Sequence, residues 1–150
     1  PNLIISEALM HHEHEILEDL QDHVLDPQHR ERFLSYQNMD PEKLTFYLGI
    51  VFNLLKVSVR TGDRLSLANY ARFIASIRIH EGFKLHEVID VYQSLSDKII
   101  QNLQKQLAHK NLEQRIHDDI DLTIQMAIDE IEDAYDLAIA PPSYIRFHDR

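Results

Sequence analysis

The chain has 150 residues, 44% of them hydrophobic and 27% charged, which suits one domain with its own core. It contains no cysteine, which removes disulfides, thiolate metal sites, iron–sulfur clusters and cysteine nucleophiles together. A formal net charge of -10 sets the surface against nucleic-acid phosphates and anionic membranes, so neither is an expected partner.

Helical periodicity runs from end to end. A first helix is expected over Ser6 to Leu25, with Ser6 as N-cap and Leu9, Ile16, Leu20 and Val24 as its apolar stripe. Asp26-Pro27 stops it, and a short helix follows from Gln28 to about Gln37. Asp40 caps a third helix with Pro41 at its first position. That helix, to about Thr61, carries Leu44, Leu48, Val51, Leu55 and Val59 on one face and Phe46, Ile50 and Val57 on the other. The double stripe predicts a central helix buried nearly all round. Thr61-Gly62-Asp63 is a stop followed by a new cap.

A fourth helix, Arg64 to Glu81, packs through Ala68, Ala71, Phe73, Ile74 and Ile77 and ends at Gly82. A fifth, Leu85 to His109, packs through Val88, Tyr92, Leu95, Ile99 and Leu103. A sixth, Leu112 to Ala140, packs through Ile116, Ile120, Ile124, Ile131 and Tyr135 and stops at Pro141-Pro142. The expected fold is an all-α six-helix bundle whose last two helices form a long antiparallel pair. A globin-like packing fits the same lengths. Residues 1–140 form the domain, and 141–150 read as a linker or tail. No segment reads as the roughly 20 apolar residues of a membrane span. The opening Pro1-Asn2-Leu3 lacks the basic flank of a signal peptide, so the cytoplasm is the expected location.

Few residues suggest chemistry. His11-His12-Glu13-His14-Glu15 puts imidazoles and carboxylates one helical turn apart, a spacing that can share a metal ion. Solvated polar residues on an amphipathic helix are the better explanation, because a metal site also needs inward-facing ligands from other helices. His80, His86 and His117 sit near helix ends and complete no set. A haem would need a proximal histidine on a core stripe, and none falls there clearly. No nucleophile elbow or phosphate-cradling glycine loop is present. The chain therefore reads as a binding or regulatory domain without cofactor, metal or catalytic residues; a haem- or metal-binding sensor is the alternative.

One stretch carries a resemblance. Asp40-Pro41-Glu42-Lys43-Leu44 opens the third helix and Thr61-Gly62-Asp63 closes it. Tyr70-Ala71-Arg72-Phe73-Ile74-Ala75-Ser76-Ile77-Arg78 and Glu81-Gly82-Phe83-Lys84-Leu85-His86-Glu87-Val88-Ile89 follow, then Tyr92. The pattern resembles the N-terminal domain of the RsbT co-antagonist family, the RsbR-like stressosome regulators, which also precedes histidine kinases. The resemblance implies a non-enzymatic sensor that dimerises, lacks haem and passes a signal to a C-terminal output domain or a downstream protein. On the residues alone, Gly82 allows a left-handed exit from its helix, and Glu87 suits the next helix dipole.

The sixth helix also bears a second apolar line, Leu122, Met126 and Leu137, among aspartates and glutamates. These are the expected dimer-interface residues, with the acids at the rim or facing basic residues such as Lys105 and Lys110. Val91 and Ile100 of the fifth helix are the next choice of interface.

Overall fold

The computed structural model describes residues 3–106 and 114–139. Every regular element among them is helical: α1 (Leu3–His11), α2 (Glu13–Leu25), a 3-10 turn (Pro27–His29), α3 (Arg30–Gln37), α4 (Pro41–Thr61), α5 (Leu65–His80), α6 (Leu85–Gln106) and α7 (Gln114–Ile139). The all-α expectation holds, with seven α-helices in place of six. The extra one arises because the expected first helix divides at His12 (φ -109, ψ 13). His12 N still donates to the Ala8 carbonyl and Ile16 N to the His12 carbonyl, so the division is a kink in a continuing ladder. The kink lets Ile5 and Leu9 reach the same core as Ile16, Leu20 and Val24. Ser6 is no cap; it lies buried within α1.

The punctuation signals behave as the local chemistry dictates. The Asp26 carboxylate accepts from Gln28 N at 2.9 Å and the Asp40 carboxylate from Glu42 N at 3.0 Å. Gly62 and Gly82 adopt φ +81° and +83°, the left-handed region that a side chain would penalise. Asp63 accepts from Leu65 N at 2.9 Å and starts α5.

The expectation for α4 needs correction. Leu44, Leu48, Val51, Leu55 and Val59 are buried, but Ile50 and Val57 are half-buried and Phe46 is 72% exposed. Periodicity marks two apolar faces, and neighbouring helices cover only one of them. By length and composition α4 is also apolar enough to cross a membrane, contrary to the sequence expectation. Its covered face packs on α1, α2, α5 and α7. Phe73 and Ile77 of α5 were expected in the core and are instead exposed. The residues that α5 does bury include Ala68, Ala71 and Ala75. These small side chains meet a face of α7 that carries Thr123, Ala127 and Ala134, so the two backbones lie close together.

Three links show that α5 and α7 run in the same direction: Arg64 bonds Asp119, Arg72 bonds Glu130 at 2.9 Å, and the Phe83 carbonyl accepts from Tyr135. On its other side α7 packs on α6, where Ser96 Oγ donates to Asp121 at 3.3 Å. Pro141-Pro142, Lys110, the expected end of the fifth helix at His109 and the expected tail lie outside the described residues.

Candidate functional site

The stretch around Gly82 forms a polar joint inside the bundle. Arg78, near the end of α5, is only 6% exposed. Its guanidinium carbon stands 4.7 Å from the Tyr47 ring centroid, 5.1 Å from Phe83 and 5.5 Å from Tyr36. Cation–π attraction therefore replaces part of the lost hydration. Nη1 donates to Glu81 at 2.8 Å, the one carboxylate that balances the charge. Burial opposes the charge, but the Tyr36 and Tyr47 hydroxyls and Glu81 outweigh it and hold the Arg78 pKa above the ordinary arginine value. The rings also contact one another: Tyr36 meets Phe83 edge-on at 4.8 Å, and the Tyr47 hydroxyl donates to Tyr92 at 3.2 Å. Burial raises the Tyr36 and Tyr47 pKa values well above the phenolic range.

Glu87 completes the joint. It is 2% exposed and accepts from Ser35 N at 2.7 Å, Ser35 Oγ at 2.8 Å and Lys84 N at 2.9 Å. Its place in the first turn of α6 is the one expected to suit the helix dipole, and the bond to Lys84 N is a further contact there. The two bonds from α3 were not anticipated. Together they satisfy a buried carboxylate without a cation. Across the turn, the Tyr135 hydroxyl donates to the Phe83 carbonyl at 2.8 Å, and burial first, then Glu87, pushes its pKa up to about 12. Side chains from α3, α4, α5, α6 and α7 therefore meet at one turn. The Glu87 oxygens are committed to the protein itself, whereas Arg78 Nε and the Tyr36 hydroxyl are buried without a hydrogen-bond partner.

The histidines fall elsewhere. His14 pairs with Glu18 at 3.3 Å and His12 with Glu15 at 3.8 Å on the surface. His11, His80 and His86 are exposed, and His117 pairs with Asp121 at 3.0 Å. Among the described residues no three His, Asp or Glu side chains stand close enough to share a metal ion. His23 and His29 do come together, with ring centroids 4.3 Å apart. His29 Nδ1 donates to the His23 carbonyl at 2.7 Å, and Arg32 Nη1 approaches His23 Nε2 at 3.4 Å. Arg32 also donates to Asp90 and Ser94 of α6. Burial first, then His29, Lys98 and Arg32, lowers the His23 pKa against the opposing pull of Asp26.

The expected interface residues on α7 keep their outward position: Leu122 is 49% exposed, Leu137 is 42% exposed and Met126 is half-buried. Within one copy Lys105 pairs with Glu15 of α2 at 3.6 Å. Val91 and Ile100 are buried in the core of one copy, so neither side chain is presented on the surface of α6. Phe46, exposed on α4, is the feature that periodicity hid. The lone glycine, Gly49, one turn further along that helix was its available signal.

In comparisons with known proteins, no family model, no curated protein and no solved structure matches the chain.

Proposed function

We propose that this chain is a non-enzymatic, homodimeric sensor or regulatory domain that passes a signal through α7 to an output domain or partner protein. The observation that carries it is the coupling of α7 to the rest of the bundle. Arg64–Asp119, Arg72–Glu130 and Phe83–Tyr135 tie it along its length to α5 and the Gly82 turn. A shift at the joint moves α7 as a unit, while Leu122, Met126 and Leu137 remain outward for a partner. The resemblance to the RsbT co-antagonist N-terminal domain supports the same role, and a globin-like packing of the helices belongs to it. The cytoplasm is the matching location.

The acids around the outward line, Asp118, Asp129, Asp133 and Asp136, suit a basic surface on the partner. Two checks bear on this function. Light scattering at micromolar concentration is expected to give the mass of a dimer, and a monomer at that concentration overturns the homodimer. An absorption spectrum of the purified protein is expected to show no Soret band; such a band would make the protein a haem sensor.

A further inference from the structure

α4 forms one wall of two adjoining grooves, each lined by apolar and polar side chains, whose other wall is α1 and α2. One part is lined by Leu17, Phe46, Gly49 and Ile50, the other by Leu3, Met10 and Val57. Asn53 and Lys56 belong to both parts. From Phe46 to Arg60 the α4 wall is about 21 Å long at the rise of an α-helix. Phe46, Leu3 and Met10 are 72%, 65% and 54% exposed, a grouping of large apolar side chains that a lone monomer leaves in water.

Gly49 stands one turn from the Phe46 end of this wall. Glycine inside a helix is unfavourable relative to alanine, because the unfolded chain loses more freedom. Here a Cβ would meet nothing within 4 Å, so the isolated fold gains nothing from the missing side chain. A glycine on an exposed helix face does allow a second helix backbone to approach closely.

Charge selects the occupant. A second copy also carries -10, so two copies attract only where the facing patches are balanced. The groove is lined by Glu7 and Glu13 against Lys56 and Arg60, with Glu13 paired to Lys56 at 3.7 Å, so its formal charges balance. The helix α7 carries Asp118, Asp119, Asp121, Asp129, Glu130, Glu132, Asp133 and Asp136 with Arg115 as its only Lys or Arg. Two α7 faces would meet with like charge, and two α4 grooves would not.

We infer that the homodimer seam is α4, which crosses its symmetry mate at Gly49 while Phe46 and Met10 of each copy fill the groove of the other. The inference rests on the homodimer proposed above and moves its contact from Leu122, Met126 and Leu137 to α4, leaving α7 free for the output. A two-fold seam is self-complementary, so Glu7 of one copy approaches Arg60 of the other, while Glu13 stays paired with Lys56 of its own chain.

The absence of native cysteine gives a direct test. Gly49→Cys places a thiol where the monomer has open space, and a disulfide needs the two Cα atoms within about 7 Å. Under a mild oxidant Gly49→Cys is expected to give covalent dimer much faster than Leu122→Cys or Met126→Cys at the same concentration. Met10→Glu with Phe46→Glu is expected to weaken dimerisation at least about 30-fold, the size of a hot-spot loss. Leu122→Glu with Met126→Glu is expected to leave it unchanged. If the unmodified protein is monomeric at micromolar concentration, the homodimer itself fails. If it is dimeric but cross-links fastest through position 122 or 126, only the α4 seam fails. Because the cross-link is read on folded protein, poor folding of the glutamate variant does not spare the inference.

Discussion

Tyr135 and Phe83 are 52 residues apart, yet the Tyr135 hydroxyl donates to the Phe83 carbonyl at 2.8 Å. The bond fixes the last part of α7 against the Gly82 turn, where backbone carbonyls would otherwise need water. Removing it with Tyr135→Phe is expected to cost about 1 kcal/mol in urea unfolding, the usual net value of one such bond. Amide exchange should rise around Gly82 and along the end of α7 together. Faster exchange at the turn alone, with α7 unchanged, would mean that the two are not coupled.

Arg78 should not tolerate a change that keeps only its charge. The guanidinium carbon lies within 5.5 Å of the Tyr36, Tyr47 and Phe83 ring centroids, and an ammonium lacks the planar, weakly hydrated group that suits such a site. Arg78→Lys is expected to lower stability by about 1–2 kcal/mol through the lost cation–π contacts and packing. Equal stability of the lysine variant would show that charge pairing with Glu81 is all that matters there.

The turn itself carries a backbone constraint. Gly82 sits at φ +83° with open space where a Cβ would go, so strain, not crowding, decides the effect of a side chain. Gly82→Val is expected to cost about 1 kcal/mol or more. Gly82→Asn should cost less, because asparagine tolerates the left-handed region better. Similar melting temperatures for the two variants would mean that the turn relaxes out of this conformation.

These features differ in how far the chain alone could reveal them. Asp40-Pro41, Gly62 and Gly82 were legible because caps and left-handed turns depend on adjacent backbone. The burial of Phe46, Phe73 and Ile77 was misjudged because period places a residue on a face without saying which neighbour covers that face. Arg78 was visible in the motif around Gly82, but its aromatic partners come from α3, α4 and the turn itself. Glu87 was read as a helix-start charge, and its bonds to Ser35 depend on how α3 docks on α6. The kink at His12 had no signal in glycine or proline at all.

Acidification should loosen the α2–α3 corner through His23. Its folded pKa lies below the ordinary 6.5, so the unfolded chain binds the proton more readily. The associated stability is present above pH 6.5 and is lost as pH falls through the folded value. The groups around it set that sign: His29, Lys98 and Arg32 oppose protonation, Asp26 favours it, and Asp90 of α6 holds Arg32. Denaturation curves between about pH 7.5 and 5.5 should show a smaller pH dependence in His23→Gln than in the unmodified protein. A steeper dependence in the variant would reverse the sign argued here.

The last prediction separates the stability of one copy from its association. Gly49 lies inside α4 with helical backbone on both sides, so alanine there fixes fewer unfolded conformations and adds no clash. At concentrations low enough to keep the chain monomeric, Gly49→Ala is expected to raise unfolding stability by about 1 kcal/mol. The same methyl group stands where two α4 helices are inferred to cross. It would hold their backbones further apart and uncover part of Phe46 and Met10. The dimer dissociation constant should therefore rise while the monomer becomes more stable. Few other substitutions would move those two quantities in opposite directions, because most changes that damage an interface residue leave the fold unchanged or weaker. If Gly49→Ala stabilises the monomer and leaves association untouched, the glycine has no role at a seam. If it destabilises the monomer, the space beside Gly49 is filled in solution by the protein's own side chains.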